Sequence, residues 1–154
     1  MPDAAQSQAE RARWISCLGQ ADPDRLEAAW AALSPQPSHR WLRKAETGLV
    51  MLRGRAGGNG QAFNLGEMTM TRTAVLVEGD RPLTGFGYVA GGNARHAELA
   101  ALFDALLQDE ARRPALLEGL IGPLQASAEA RRAARAAAVA PTRVDFTTMV
   151  RGNG

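Results

Sequence analysis

At 154 residues and 16.4 kDa, with 45% apolar residues, the chain is long enough for one domain with a real core and too short for two full ones. Its net charge is only +2, its seventeen arginines and single lysine are interleaved with acids, and aromatics make up 5%, which leaves little on which to stack bases and argues against nucleic-acid binding. One cysteine, Cys17, excludes a disulfide framework or a Cys-rich metal site, and no segment nears the roughly twenty apolar residues of a membrane span.

Residues 1–10 are polar, mixed in charge and expected to be disordered; they hold no apolar run of signal-peptide length, which points to a cytoplasmic protein. Residues 11–19 read as a helix closed by glycine, with Trp14, Ile15 and Leu18 on one face. Asp22-Pro23 opens a second helix carrying Leu26, Ala29, Trp30 and Leu33, and the Ser/Pro run at 34–37 ends it. A short helical turn is expected over 40–44. The period then changes: 47–55 and 67–77 read as strands joined by a glycine-rich loop, with Met68, Met70 and Arg72 on one face of the second and Thr69, Thr71 and Thr73 on the other. A third strand, 83–90, has glycines at 85 and 87, where another element comes close to the backbone. Short turns between consecutive strands favour an antiparallel meander.

Asn93 then caps a helix over 94–108 whose Leu99, Leu102, Phe103 and Leu106 stand at core spacing. A shorter helical piece near 114–120 runs into a break at Pro123, and 126–139 is Ala/Arg-rich, helix-forming and poor in bulky core residues. The tail, 141–154, contains an apolar, β-prone run at 144–150. Such a run adds a strand to a sheet edge or docks on a partner through Val144, Phe146, Met149, Val150 and Arg151. The whole reads as a single α+β domain, with N-terminal helices, an antiparallel sheet of about four strands, helices packed on one face, and an extended C-terminal tail.

His96-Ala97-Glu98 has the H-x-E form of a zinc deaminase, but the required downstream P-C-x-x-C is missing. Physically, the triplet opens a helix. Gly91 and Gly92 permit close approach, and free N–H groups there favour an anion, so Arg95 and His96, joined by Arg72, form a candidate anion site. Read from the residues alone, an ordinary capped helix start accounts for the same pattern. The glycine-rich loop at 57–60 is no P-loop, since no lysine follows it. Between 40 and 55, Arg40, Arg43, Lys44, Arg53 and Arg55 face one acid, Glu46; such forks suit phosphate oxygens or a partner's carboxylates, and equally a solvated basic face. No Ser/His/Asp set or carboxylate pair stands at a catalytic spacing, so no catalytic residue is assigned.

A longer pattern runs from about Trp14 to Gly152. It comprises Ala45-Glu46-Thr47-Gly48-Leu49-Val50, Gly57-Gly58-x-Gly60 with Phe63, Leu65-Gly66-Glu67 leading to Thr71-Arg72, and Gly87-Tyr88. It continues through His96-Ala97-Glu98, Ala101-Leu102 and Asp104-Ala105-Leu106 to Arg143-Val144-Asp145-Phe146 and Met149-Val150-Arg151-Gly152. In order and spacing these resemble the PhnG family, the G subunit of the carbon–phosphorus lyase core complex. The resemblance implies a subunit that assembles with the H, I and J subunits and acts functionally with the ATP-binding L subunit. Together they replace the adenine of ATP by an alkylphosphonate, giving ribose 1-phosphonate 5-triphosphate. It implies nucleosidase-like chemistry on the I subunit, later radical C–P cleavage on J, and a G subunit that is needed for the synthase step but has no established catalytic residues. No cofactor is expected on this chain alone, ATP being a substrate of the complex. The apolar tail also makes a homodimer an option for the isolated chain.

Overall fold

The computed structural model describes residues 4–55 and 59–140. In chain order the elements are α1 (Ala4–Gly19), α2 (Pro23–Ala31), β1 (His39–Arg55), β2 (Ala62–Val77), β3 (Leu83–Ala90) and α3 (Ala94–Leu106). A short α4 (Arg113–Leu116), a π-helical turn over Leu117–Ile121 and α5 (Gly122–Val139) follow. The strands form one antiparallel sheet in the order β1-β2-β3, with helices on one face, as the α+β reading expects. These are the three strands among the described residues; the apolar tail run at 144–150 lies outside them.

Two local expectations are corrected. Helix α1 begins at Ala4, within the stretch expected to be disordered, because alanine, glutamine and glutamate let the helix propagate back from its packed end. Residues 40–44 are strand, not a helical turn: β1 starts at His39 and pairs with the end of β2, His39 with Val77 and Trp41 with Val75. Tertiary pairing overrides the weak local preference there.

The covered sheet face is set by strand alternation. Thr71, Thr73, Val75 and Val77 of β2 are buried beside Gly85, Gly87 and Val89 of β3. The two buried threonines are tolerated because their hydroxyls are bonded: Thr71 Oγ1 donates to the Gly91 carbonyl at 2.6 Å, and Thr73 Oγ1 to that of Arg43 at 2.7 Å. Helix α3 lies across this face so closely that a methyl group on Gly85 would meet the Ala101 carbonyl, and one on Gly87 the Ala97 carbonyl. The alanine row of α3, at positions 97, 101 and 105, is the matching small surface.

From His96 to Leu106 every residue of α3 except Glu98 is buried, including the predicted Leu99, Leu102, Phe103 and Leu106. Around it stand Trp14 and Leu18 of α1, Leu26 and Trp30 of α2, and Leu120, Ile121 and Leu124 beyond α4. Trp30 meets Phe103 edge-on, with ring centroids 6.2 Å apart. Asp22 caps α2, accepting the Asp24 N–H at 3.1 Å, with Pro23 in the first turn. Pro123 does not interrupt the helical run: the π-helical turn passes directly into α5, with Pro123 in its first turn, where a missing N–H is tolerated. Leu124 is the buried residue of α5, and from Glu129 onward the helix is exposed, as its composition predicts.

Candidate functional site

The expected anion site forms as a helix start, with the Arg95 and His96 side chains already engaged. Asn93 caps α3, its side-chain oxygen accepting the His96 N–H at 2.9 Å. Gly91 takes φ +95°, a left-handed conformation that suits glycine, and it is tied to β2 through its N–H to Thr69 O at 2.8 Å. Gly92 is exposed in the same turn. The His96 ring is buried, and its Nε2 lies 2.8 Å from the Leu18 carbonyl. A carbonyl only accepts, so Nε2 carries the proton and His96 fastens α3 to the end of α1.

Arg95 points the other way and clasps α2. Its Nε and Nη2 donate to the two carboxylate oxygens of Glu27, each at 2.8 Å, and Nη1 lies 3.5 Å from Glu98. The hydrogen bond from Arg95 holds the Glu27 carboxyl below its ordinary range, and the same bond raises the Arg95 guanidinium. Arg72 is not brought to this place. Between the buried Thr71 and Thr73 it projects from the opposite, uncovered face of the sheet, where Nε donates to Glu46 at 2.8 Å.

A group that the sequence reading passed over organises the interior. Asp104 of α3 is fully buried and accepts four hydrogen bonds: Arg11 Nη2 at 2.8 Å and Nε at 3.1 Å, Trp14 Nε1 at 2.8 Å, and the Phe86 N–H at 2.9 Å. Arg11 also donates to the Thr84 carbonyl at 3.1 Å and stacks over the Phe86 ring. One carboxylate thus joins α1, α3 and the backbone of β3. An acid inside the apolar run Ala-Leu-Phe-Asp-Ala-Leu-Leu was the available signal, since a charge at a core position must be paired.

Among the described residues no group of three or more His, Cys, Asp or Glu is placed to hold a metal, and no helix is long and apolar enough to cross a membrane. The half-buried Cys17 thiol, pushed up by burial, sits 4.0 Å from the Ile121 carbonyl. The tail residues Val144, Phe146, Met149, Val150 and Arg151 lie outside the described residues.

What stands out is the sheet's other surface. Of the ten large apolar side chains exposed among the described residues, eight lie on the sheet. Leu42, Phe86 and Tyr88 line a groove on its uncovered face with Arg43 and Arg72. Leu49, Met51, Leu52, Phe63 and Leu65 lie further out, where β1 and β2 run on beyond the last pairing with β3, Met70 with Ala90. From there the sheet is a two-stranded ribbon, and among the described residues none of β1 is buried. Two strands alone are marginal in water, and large apolar side chains left exposed along such a ribbon mark a surface suited to association.

Comparison with known proteins places the chain in a family. The family described as "Phosphonate metabolism protein PhnG" matches residues 9–152. The chain is 41% identical over 157 residues to "Alpha-D-ribose 1-methylphosphonate 5-triphosphate synthase subunit PhnG" of Rhizobium meliloti (strain 1021), and the match covers 99% of each chain. The chain belongs to the PhnG family of phosphonate metabolism proteins.

Proposed function

We propose that this chain is a subunit of a cytoplasmic synthase that makes α-D-ribose 1-methylphosphonate 5-triphosphate, and that it supplies docking surface in place of catalytic groups. The observation that carries the reading is the uncovered sheet: a folded chain that leaves Leu49, Met51, Phe63, Leu65 and Tyr88 in water is built to be covered. Its partners are the H, I and J subunits of the carbon–phosphorus lyase core complex, with the L subunit acting alongside them. The reaction replaces the adenine of ATP by methylphosphonate at the ribose carbon. The second role weighed for the chain, direct anion contact through Arg95 and His96, has both side chains already committed to Glu27 and Leu18.

Co-expression of the tagged chain with the other synthase subunits of its own genome tests the proposal. A stoichiometric assembly that turns over ATP and methylphosphonate is the expected result. A chain that purifies alone, with every partner present and soluble, contradicts it.

A further inference from the structure

Strand β1 is one of the two outer strands of the sheet, and its far edge offers main-chain N–H and C=O groups that pair with nothing in the sheet. Proteins usually blunt such an edge with bulges, prolines or charges. Here the ladder between β1 and β2 is irregular only around Arg43 and after Leu52; from Glu46 to Leu52 it runs without a shift in register. Within that stretch Gly48-Leu49-Val50-Met51-Leu52 holds no charge and no proline, and Leu49 is 67% exposed. The charges flank it: Arg40 and Lys44 on one side, Arg53 and Arg55 on the other. The strand's one acid, Glu46, is taken by Arg72 and Arg43. Arg40, Lys44 and Arg53 have no acidic partner among the described residues.

We propose that the free edge of β1 accepts an extended acidic segment of a partner protein as an added strand, with an apolar centre over Gly48–Leu52 and carboxylates at both ends. In an added strand over Glu46–Leu52 the side chains stand directly opposite those of β1, about 5 Å away at Cβ, and carboxylates at its two ends come within reach of Lys44 and Arg53 just beyond. Main-chain bonds supply the affinity and the flanking charges choose the partner. A second copy does not fit: antiparallel self-pairing sets the basic 40–44 end against the basic 53–55 end, and parallel pairing sets like on like. The chain's own run at 144–150 does not fit either, since it offers one acid, Asp145, between Arg143 and Arg151. The identity of the partner rests on the subunit reading; the chemistry of the edge does not.

Lys44 is the only lysine in the chain, so it is a single reporter. The assembled synthase is treated with a carbodiimide, which activates carboxylates so that a touching amine forms an amide. The expected product joins Lys44 to an Asp or Glu of another subunit. The exposed triple variant Arg40→Glu, Lys44→Glu, Arg53→Glu keeps its circular dichroism and binds its partner at least about tenfold more weakly, as opposed like charges require. Lys44 linked only to Glu46 of a second copy or to Asp145, or an unchanged affinity in the triple variant, overturns the proposal while the subunit reading stands. If the wild-type chain joins no synthase subunit, the subunit reading fails. The edge is then decided on the isolated full chain by nuclear magnetic resonance with two synthetic peptides sharing a valine–threonine core. Shifts along β1 with the glutamate-flanked peptide and not with the lysine-flanked one support the edge; equal shifts, or none, overturn it.

Discussion

The sheet's two ends are built on opposite terms. Where β2 runs beside β3, its inward positions are small or β-branched, glycines admit α3 to within backbone contact, and every buried hydroxyl is bonded. Where β2 runs beside β1 alone, leucine, methionine and phenylalanine side chains are exposed among the described residues. On the proposed reading, β2 therefore serves stability at one end and association at the other. Substitutions should separate these roles: at the covered end they cost the isolated chain its fold, and at the ribbon they cost only the assembly.

The largest effect is expected at Asp104. Asp104→Ala strands the Trp14 and Phe86 N–H groups and the Arg11 guanidinium, and should cost about 3–5 kcal/mol in denaturant unfolding. Asp104→Asn, which keeps an acceptor, should cost clearly less. Next comes Gly87→Ala, where the added methyl group overlaps the Ala97 carbonyl and must push α3 off the sheet; about 1–3 kcal/mol or more is expected by thermal or chemical melting. At the ribbon, Leu49→Ser with Leu65→Ser should change the isolated chain's stability by no more than about 0.5 kcal/mol per site. Recovery of the assembly should nevertheless collapse. A ribbon substitution that unfolds the isolated chain would erase the distinction between the two ends.

Smaller effects sharpen the picture of the covered end. Because Arg95 depresses the folded carboxyl of Glu27, their pairing is fully present above the ordinary glutamate range and is lost as pH falls through the depressed folded value. Arg95→Ala should therefore move the Glu27 titration upward, read from its carboxyl carbon by nuclear magnetic resonance. Cys17 should react with a thiol reagent more slowly than a free cysteine at the same pH, since burial raises its thiol, and at the free rate once the chain is unfolded.

Much of the covered end was legible in the sequence because its signals are local. Asn93 as a cap, the leucine stripe of α3 and Asp22-Pro23 as a helix start each depend on neighbours a few residues away, and glycine inside a strand marks close approach without saying what approaches. The first part of β1 was not legible, because 40–44 are held extended by a partner strand more than thirty residues downstream. Nor was the clasp on Asp104, whose partner Arg11 lies 93 residues away. For the candidate site, Arg95 and His96 were rightly placed at a capped helix start, but their partners Glu27 and Leu18 come from other helices. The alternation of β2 put Arg72 opposite the threonines; that the threonine face is the buried one depends on α3, not on the strand.

Amide hydrogen exchange tests most directly whether the ribbon and uncovered sheet face are where this chain meets its partners. Exchange is followed residue by residue in the isolated chain and in the co-expressed assembly. Strong new protection over 46–55 and 62–70, with α3 equally slow in both, is the predicted result. Protection confined to α5 or to the outer faces of α1 and α2, with the ribbon exchanging as fast in the assembly as in the free chain, would contradict it.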